Sequence, residues 1–290
     1  MSEEERTESN LAFVFPAAFA LILCVFYLMY GVVPGPEFII LCLFVYAAYN
    51  KWSQRFVRDW VPFASFILAY VAINGLVGSM SRFVHVEEPI GLELRLFGVI
   101  PTLVLQQFYR SVFLDGLGYL VYSVHFIAPV VFAFVLWKYR PKEYWKYAVA
   151  FAVCTYSALV TFVVYPVAPP WFGVGATRIL FQVDSGLGLS VYRTVFDFFQ
   201  PNLFAAFPSL HSAYPWLISL FAFKIGKKKA LPIVLYPILV WFSAVYLGEH
   251  YVVDVIGGVL FATLAFLLEE KLISRNKLVR HLNKRARDVN

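Results

Sequence analysis

The chain has 290 residues, of which 61% are hydrophobic and only 14% charged, with a formal net charge of +6. Such a composition excludes a disordered chain, a disulfide-stapled secreted domain and a nucleic-acid reader, because too few charges remain to solvate a surface or line up on phosphates. Cys24, Cys42 and Cys154 all fall inside apolar runs and suggest no structural disulfide. The chain reads as an all-α, polytopic transmembrane bundle.

A crossing needs about 20 mostly apolar residues. Runs of that kind bounded by charge, Pro or Gly occur near 11–33, 36–50, 60–84, 119–137, 147–165, 203–223, 230–247 and 249–268, which predicts about eight spans. The first run is too long for a signal-peptide core and follows the acidic residues Glu3, Glu4 and Glu5, so a retained anchor is expected after a short tail, 1–10. The second begins beside Pro34, Gly35, Pro36 and Glu37 and reads as the return half of a hairpin. With alternating sides, nineteen Lys and Arg residues fall on one face and five on the other. Basic residues favour the cytoplasm, so both termini are expected there. The five on the opposite face are Arg82, Arg95 and Arg110 in the 82–118 connection, and Arg178 and Arg193 in the 166–202 connection.

No internal repeat or soluble linker divides the chain, so 11–268 reads as one membrane domain, followed by a basic cytoplasmic tail, 269–290. The tail is expected to lie against anionic lipid. The 82–118 connection mixes charge with an apolar stretch, Leu92 to Phe108, and is expected to hold an interfacial helix or a plain connector.

Ionisable groups at membrane depth are costly and normally mark a site. His125, His211, Glu249, His250 and Asp254 qualify. The span order brings three distant segments to one depth on the extracytoplasmic face: Tyr165-Pro-Val-Ala-Pro-Pro-Trp171, Phe207-Pro-Ser-Leu-His211 and Gly248-Glu-His250. His250 and Asp254 are four apart, so a helix stacks them on one face. A carboxylate there fixes the imidazole tautomer and leaves the other nitrogen as a nucleophile. His211, at the same depth, is placed to act as general acid and base. Pro208 starts a new helix whose free N–H groups, with the Ser209 hydroxyl, suit an anion. Two His and one Asp also suit a metal, but HExxH is absent and no further ligand is apparent, so no metal or cofactor is expected.

Pro208-Ser209-Leu210-His211 followed by His250-Tyr251-Val252-Val253-Asp254 resembles the last two signatures of the type-2 phosphatidic-acid-phosphatase and haloperoxidase superfamily. Tyr165-Pro-Val-Ala-Pro-Pro-Trp171, Tyr246-Leu-Gly-Glu-His250-Tyr251 and His125 followed by Pro129 are similar to the branch that contains inositol-phosphorylceramide synthases. The resemblance covers about 119–268. It implies a six-helix phosphatase-like core and phosphoryl transfer through a phosphohistidine on His250, oriented by Asp254, with His211 as acid and base. The chain departs from the pattern at three cationic positions, where it carries Thr161, Ala168 and Ala244. A transferred phosphoryl group needs charge stabilisation. Arg178 and Arg193 are the expected replacements, with Arg110 behind them, and Tyr165, Trp171, His125 and Tyr251 are expected around the substrate.

The function expected is therefore a membrane phosphotransferase or phosphatase acting on a lipid phosphate or inositol phospholipid, with water or an alcohol as acceptor. An anionic-lipid transporter would place polar groups at the midplane of several spans, of which the first five show little. A non-catalytic scaffold would need His211 and Asp254 for folding rather than rate.

Overall fold

The computed structural model describes residues 36–80, 83–125, 127–188, 192 and 202–273. Regular structure among them is helical apart from two isolated bridges. In chain order the helices are α1 (Pro36–Tyr49), α2 (Ser53–Met80), α3 (Glu87–Phe97), α4 (Pro101–Phe108), α5 (Val112–Val124), α6 (Ala128–Tyr139) and α7 (Pro141–Val164). They continue as α8 (Pro170–Gly173), α9 (Ile179–Gly186), α10 (Leu210–Gly226), α11 (Leu235–Tyr246) and α12 (Val252–Leu268). A 3-10 segment, Lys227–Val234, joins α10 to α11, and a π-helical turn, Glu269–Ile273, extends α12.

Proline opens α4, α6, α7 and α8 in the first turn, where its missing N–H breaks no hydrogen bond. Four stretches are long and apolar enough to cross a membrane: Ser53–Asn74, Pro141–Val164, Leu210–Tyr246 and Val252–Lys271. The pair α5 and α6, bent by 44°, makes a fifth if counted as one broken span. The 37-residue stretch Leu210–Tyr246 counts as one by length and apolarity, yet contacts between its two halves show that it folds back on itself. The Trp216 and Trp241 rings lie 5.8 Å apart, and the Trp241 indole donates to the Ser212 carbonyl at 3.2 Å. The turn carries Lys224 and Lys227 to Lys229, whose charges keep it out of hydrocarbon.

The expected count of eight does not carry over to the described residues. The first run, 11–33, lies outside them, and α1 and α11, with 14 and 12 residues, are shorter than a full crossing.

Helices α7, α10 and α12 pack together at the centre, with α6 against α7 and α2 against α7. Trp60, Trp137, Tyr144, Tyr147, Phe63, Phe162 and Phe221 are fully buried between them. Asp59 is also buried, accepting from the Trp137 indole at 2.9 Å and from Arg58 Nε at 2.9 Å. Large apolar side chains on the outside, among them Leu120, Val135, Val160, Ile256, Leu260 and Leu264, form the surface that a bilayer would cover.

The α10–α12 contact is the tightest. A Cβ on Gly258 would run into Ser212 Oγ and the Ser209 carbonyl, and one on Gly257 into the Phe207 ring. Absence of side chains there lets Ser212 Oγ donate to the Val255 carbonyl at 3.0 Å and ties the Ser209 amide to the Asp254 carbonyl at 3.0 Å. The first turns of α10 and α12 are thereby locked side by side.

Candidate active site

At that end of the bundle His211, in the first turn of α10, and His250, just ahead of α12, meet. His211 Nδ1 lies 3.0 Å from His250 Nε2. His250 Nδ1 faces the Ala206 carbonyl at 3.1 Å, whereas the nearest Asp254 oxygen is 3.8 Å away. The latter is an ion-pair distance and not a hydrogen bond. A backbone carbonyl therefore places the proton on Nδ1 and the lone pair on Nε2. Asp254 acts from slightly further off: its Oδ2 accepts the Tyr251 amide at 2.8 Å and holds the turn that carries His250.

Ala206 is itself held by the Pro-rich segment between α7 and α8. Val167 bridges His85 on one side and Ala205 on the other, with the Ala206 amide donating to the Val167 carbonyl at 3.3 Å and the His85 amide to the Pro166 carbonyl at 2.8 Å. Tyr165 stacks on His85 with ring centroids 3.9 Å apart. The motif Tyr165–Trp171 thus supports the site through its backbone and through the Trp171 ring, over which Arg178 lies.

Ser209 is fully buried as the N-cap of α10, where its hydroxyl accepts the Ser212 amide at 3.3 Å. The oxygen expected to greet an anion is engaged by its own helix. Behind His211, Tyr122 stacks at 4.2 Å and brings its hydroxyl 3.3 Å from Nδ1. His125 sits at the α5–α6 bend, its ring 4.3 Å from that of His211 and parallel to Tyr214 at 5.3 Å. It therefore backs His211 within the protein.

Arg178, ahead of α9, makes a two-pronged contact with Glu249, Nε to Oε1 at 2.8 Å and Nη2 to Oε2 at 3.2 Å, and lies over the rings of Trp171 and Phe181. Its guanidinium is thus brought to the residue next to His250. Gln106 of α4 sets this up by bonding the Thr177 carbonyl, the Thr177 amide and the Tyr246 carbonyl at 2.8–2.9 Å. Gly248 is required in the same turn: its φ is +83°, and a Cβ would come 2.6 Å from the Thr177 carbonyl. Arg110 is held by Asp115 at 3.3 Å and by Gln182, while Arg193 lies outside the described residues.

Ala244, where the superfamily pattern has Arg, is fully buried, and its carbonyl accepts the Glu249 and His250 amides at 3.2 and 3.1 Å. An arginine there would have to enter the packed cluster of Tyr122, Ile179, Leu180 and Tyr246. Arg178 reaches the neighbourhood instead, from the turn ahead of α9.

Several contributors were not apparent in the sequence. Tyr122 and the Ala206 carbonyl carry no motif signal. Glu93, in α3, is fully buried and accepts the Val253 amide at 3.0 Å in the first turn of α12. An acid on an otherwise apolar helix face was the signal available for it. Tyr251 is buried against Ile100, Val253, Ile90 and Val174, in the packing that joins α3 and α4 to α12.

These features define a helical membrane protein with an ionisable site of paired imidazoles, a carboxylate and a nearby arginine at one end of its bundle. The family model described as PAP2 superfamily matches residues 90–268, and the chain belongs to that superfamily. It is 27% identical over 231 residues to a phosphoinositol dihydroceramide synthase of Bacteroides thetaiotaomicron, covering 72% of this chain and 75% of that one. It is 33% identical over 235 residues to the inositol phosphorylceramide synthase catalytic subunit of Saccharomyces cerevisiae, covering 74% of this chain and 56% of the yeast protein. An inositol phosphorylceramide synthase of Candida albicans is 25% identical over 277 residues, 89% of this chain and 58% of the relative. The chain thus spans about half the length of these fungal relatives. No solved structure matches it.

Proposed function

We propose that the protein transfers a phosphoinositol headgroup from an inositol phospholipid to the hydroxyl of a ceramide-like lipid, with His250 as the covalent relay and no resident metal or organic cofactor. The observation that carries the reading is the His211–His250 contact at 3.0 Å, with His250 Nδ1 tied to the Ala206 carbonyl. That tautomer leaves the Nε2 lone pair as the nucleophile.

The phosphodiester enters between the imidazoles. Nε2 attacks phosphorus, the bond to the lipid alcohol breaks, and the departing oxygen takes a proton from His211. The phosphoinositol group is then bonded to Nε2. The incoming lipid hydroxyl gives its proton to His211 and attacks phosphorus, the N–P bond breaks, and both histidines return to their starting state. Asp254 stabilises the positive charge that develops on His250. Arg178, released in part from Glu249, supplies charge to the phosphoryl oxygens.

Orientation follows from charge. Lys224, Glu143, Lys146 and Glu270 cluster at the far end of α7, α10 and α12, while the histidines sit at the near end. The positive-inside rule puts the former in the cytoplasm and the site on the extracytoplasmic face.

The test is incubation of purified protein with an inositol phospholipid and a ceramide, followed by lipid mass spectrometry. Formation of phosphoinositol-ceramide that disappears in His250→Ala supports the reading. Full turnover by His250→Ala, or release of free inositol phosphate alone, overturns it.

A further inference from the structure

Glu93 lies in the connection between α2 and α5, outside the signature motifs at 208–211 and 250–254. Its helix, α3, buries Pro89 and Glu93. Glu93 is fully buried, and the apolar residues Ile90, Ile100, Tyr251 and Val253 pack together where α3 and α4 meet α12. Oε1 accepts the Val253 amide at 3.0 Å, satisfying one of the first-turn N–H groups that a helix leaves without a partner. The other oxygen, Oε2, is buried without a hydrogen-bond partner, and so are Asp254 Oδ1 and the Tyr251 hydroxyl. Two buried carboxyl groups that feel each other's charge do not both ionise freely.

We propose that Glu93 is a positioning residue of the His250–Asp254 unit: it anchors the first turn of α12 through the Val253 amide, and where its second oxygen carries a proton Asp254 alone is charged next to His250. The inference rests on the proposed role of that pair. Burial pushes the Glu93 carboxyl up to about 7, and the Asp254 charge adds to the rise, against the lowering effect of the Val253 amide. The titratable groups sharing the pocket are Asp254 and Tyr251 from the α12 side and Glu87 from α3.

The consequences have a definite sign. A carboxyl raised on folding stabilises the protein below its unfolded value, and that contribution is lost as pH rises through the folded value. Ionised Glu93 also adds negative charge close to the site where an anionic phosphodiester must bind. Stability and kcat/KM should therefore both decline as pH rises through about 7.

The wild type, Glu93→Gln and Glu93→Ala, purified in detergent, are compared by thermal unfolding and by phosphoinositol transfer on both sides of pH 7. Glutamine keeps an acceptor for the Val253 amide and cannot ionise. Relative to Glu93→Gln, the wild-type Tm should fall by about 2–4 °C over the interval. Its kcat/KM should fall in parallel, while that of Glu93→Gln holds level. Glu93→Ala should lower kcat by about tenfold or more, with KM within about twofold, because a misplaced nucleophile affects chemistry before binding. Wild-type and Glu93→Gln curves that run parallel in both Tm and kcat/KM overturn the proposal. If the wild type transfers no headgroup, the proposed function fails and the Tm comparison alone decides the placement of the proton.

Discussion

His211 Nδ1 and His250 Nε2 face each other at 3.0 Å across the junction of α10 and α12, although 39 residues separate them. Each imidazole is steered by a group other than its partner: Tyr122 stacks on His211, and the Ala206 carbonyl holds His250. An acid and a nucleophile in this arrangement have separable kinetic signatures.

Replacing His250 with Ala should abolish transfer to every acceptor. Replacing His211 with Ala should lower kcat by about 10²–10⁴-fold on a natural lipid, the usual contribution of a positioned acid or base. Formation of the phosphoenzyme from a nitrophenyl phosphodiester should survive in His211→Ala, because that leaving group needs no proton. Burst kinetics of nitrophenol release read this directly, and an equal loss on both substrates would remove His211 from the acid role.

Gly258→Ala should separate the two helices. The added carbon meets the Ser209 carbonyl as well as Ser212 Oγ, and backbone cannot turn aside as a side chain can. Displacement of about 1 Å at the histidines is enough to lower kcat about 10²-fold. Gly91→Ala is the control, since nothing lies within 4 Å of a Cβ there. In the middle of α3 it should be neutral or stabilising by about 0.5–1 kcal/mol. Thermal unfolding and turnover of both variants check the contrast.

Arg178 and Glu249 should show coupling in a double-mutant cycle. Arg178→Ala leaves the Glu249 carboxylate unpaired next to His250, and Glu249→Ala leaves the guanidinium without its two-pronged acceptor. The interaction energy in stability should fall within about 0.5–3 kcal/mol. If Arg178 also serves the phosphoryl group, Arg178→Ala should reduce kcat by more than Glu249→Ala does. Equal kinetic losses would confine the arginine to a structural part.

Asp59→Ala tests the far side of the bundle. It deprives the buried Trp137 indole of its acceptor, which should destabilise the protein by about 1–3 kcal/mol. Asp59→Asn retains an acceptor and should recover most of that loss. Neither change touches the histidine pair, so the folded fraction of each should retain its kcat. A loss of specific activity in correctly folded Asp59→Asn would mean that the two ends are coupled.

The helices were legible wherever apolar length and flanking charge agree, as in α7 and α12. They were less legible where the chain bends. The 119–137 run is two helices, α5 and α6, with His125 at the break, and 230–247 begins with a 3-10 segment before the 12-residue α11. A hydropathy run gives the extent of apolar sequence and is blind to direction. The 82–118 connection was legible only as mixed charge and apolar residues. Its helices contribute Glu93 and Gln106 to the support of the site, through bonds to backbone 160 and 71 residues away.

The sequence by itself determined a membrane-embedded helical chain and singled out His211, His250 and Asp254, because ionisable groups are rare in apolar runs and i, i+4 spacing aligns two of them on a helix. It also carries the motifs that resemble the PAP2 superfamily, in agreement with the family match over residues 90–268. Tertiary structure decided which atoms meet. His250 Nδ1 is nearer a backbone carbonyl than Asp254, Arg178 reaches Glu249, Ser209 caps its own helix, and Glu93 approaches α12 from a separate element. Such contacts depend on how closely two helices approach, here set by Gly257 and Gly258, and on backbone groups that no side-chain pattern encodes.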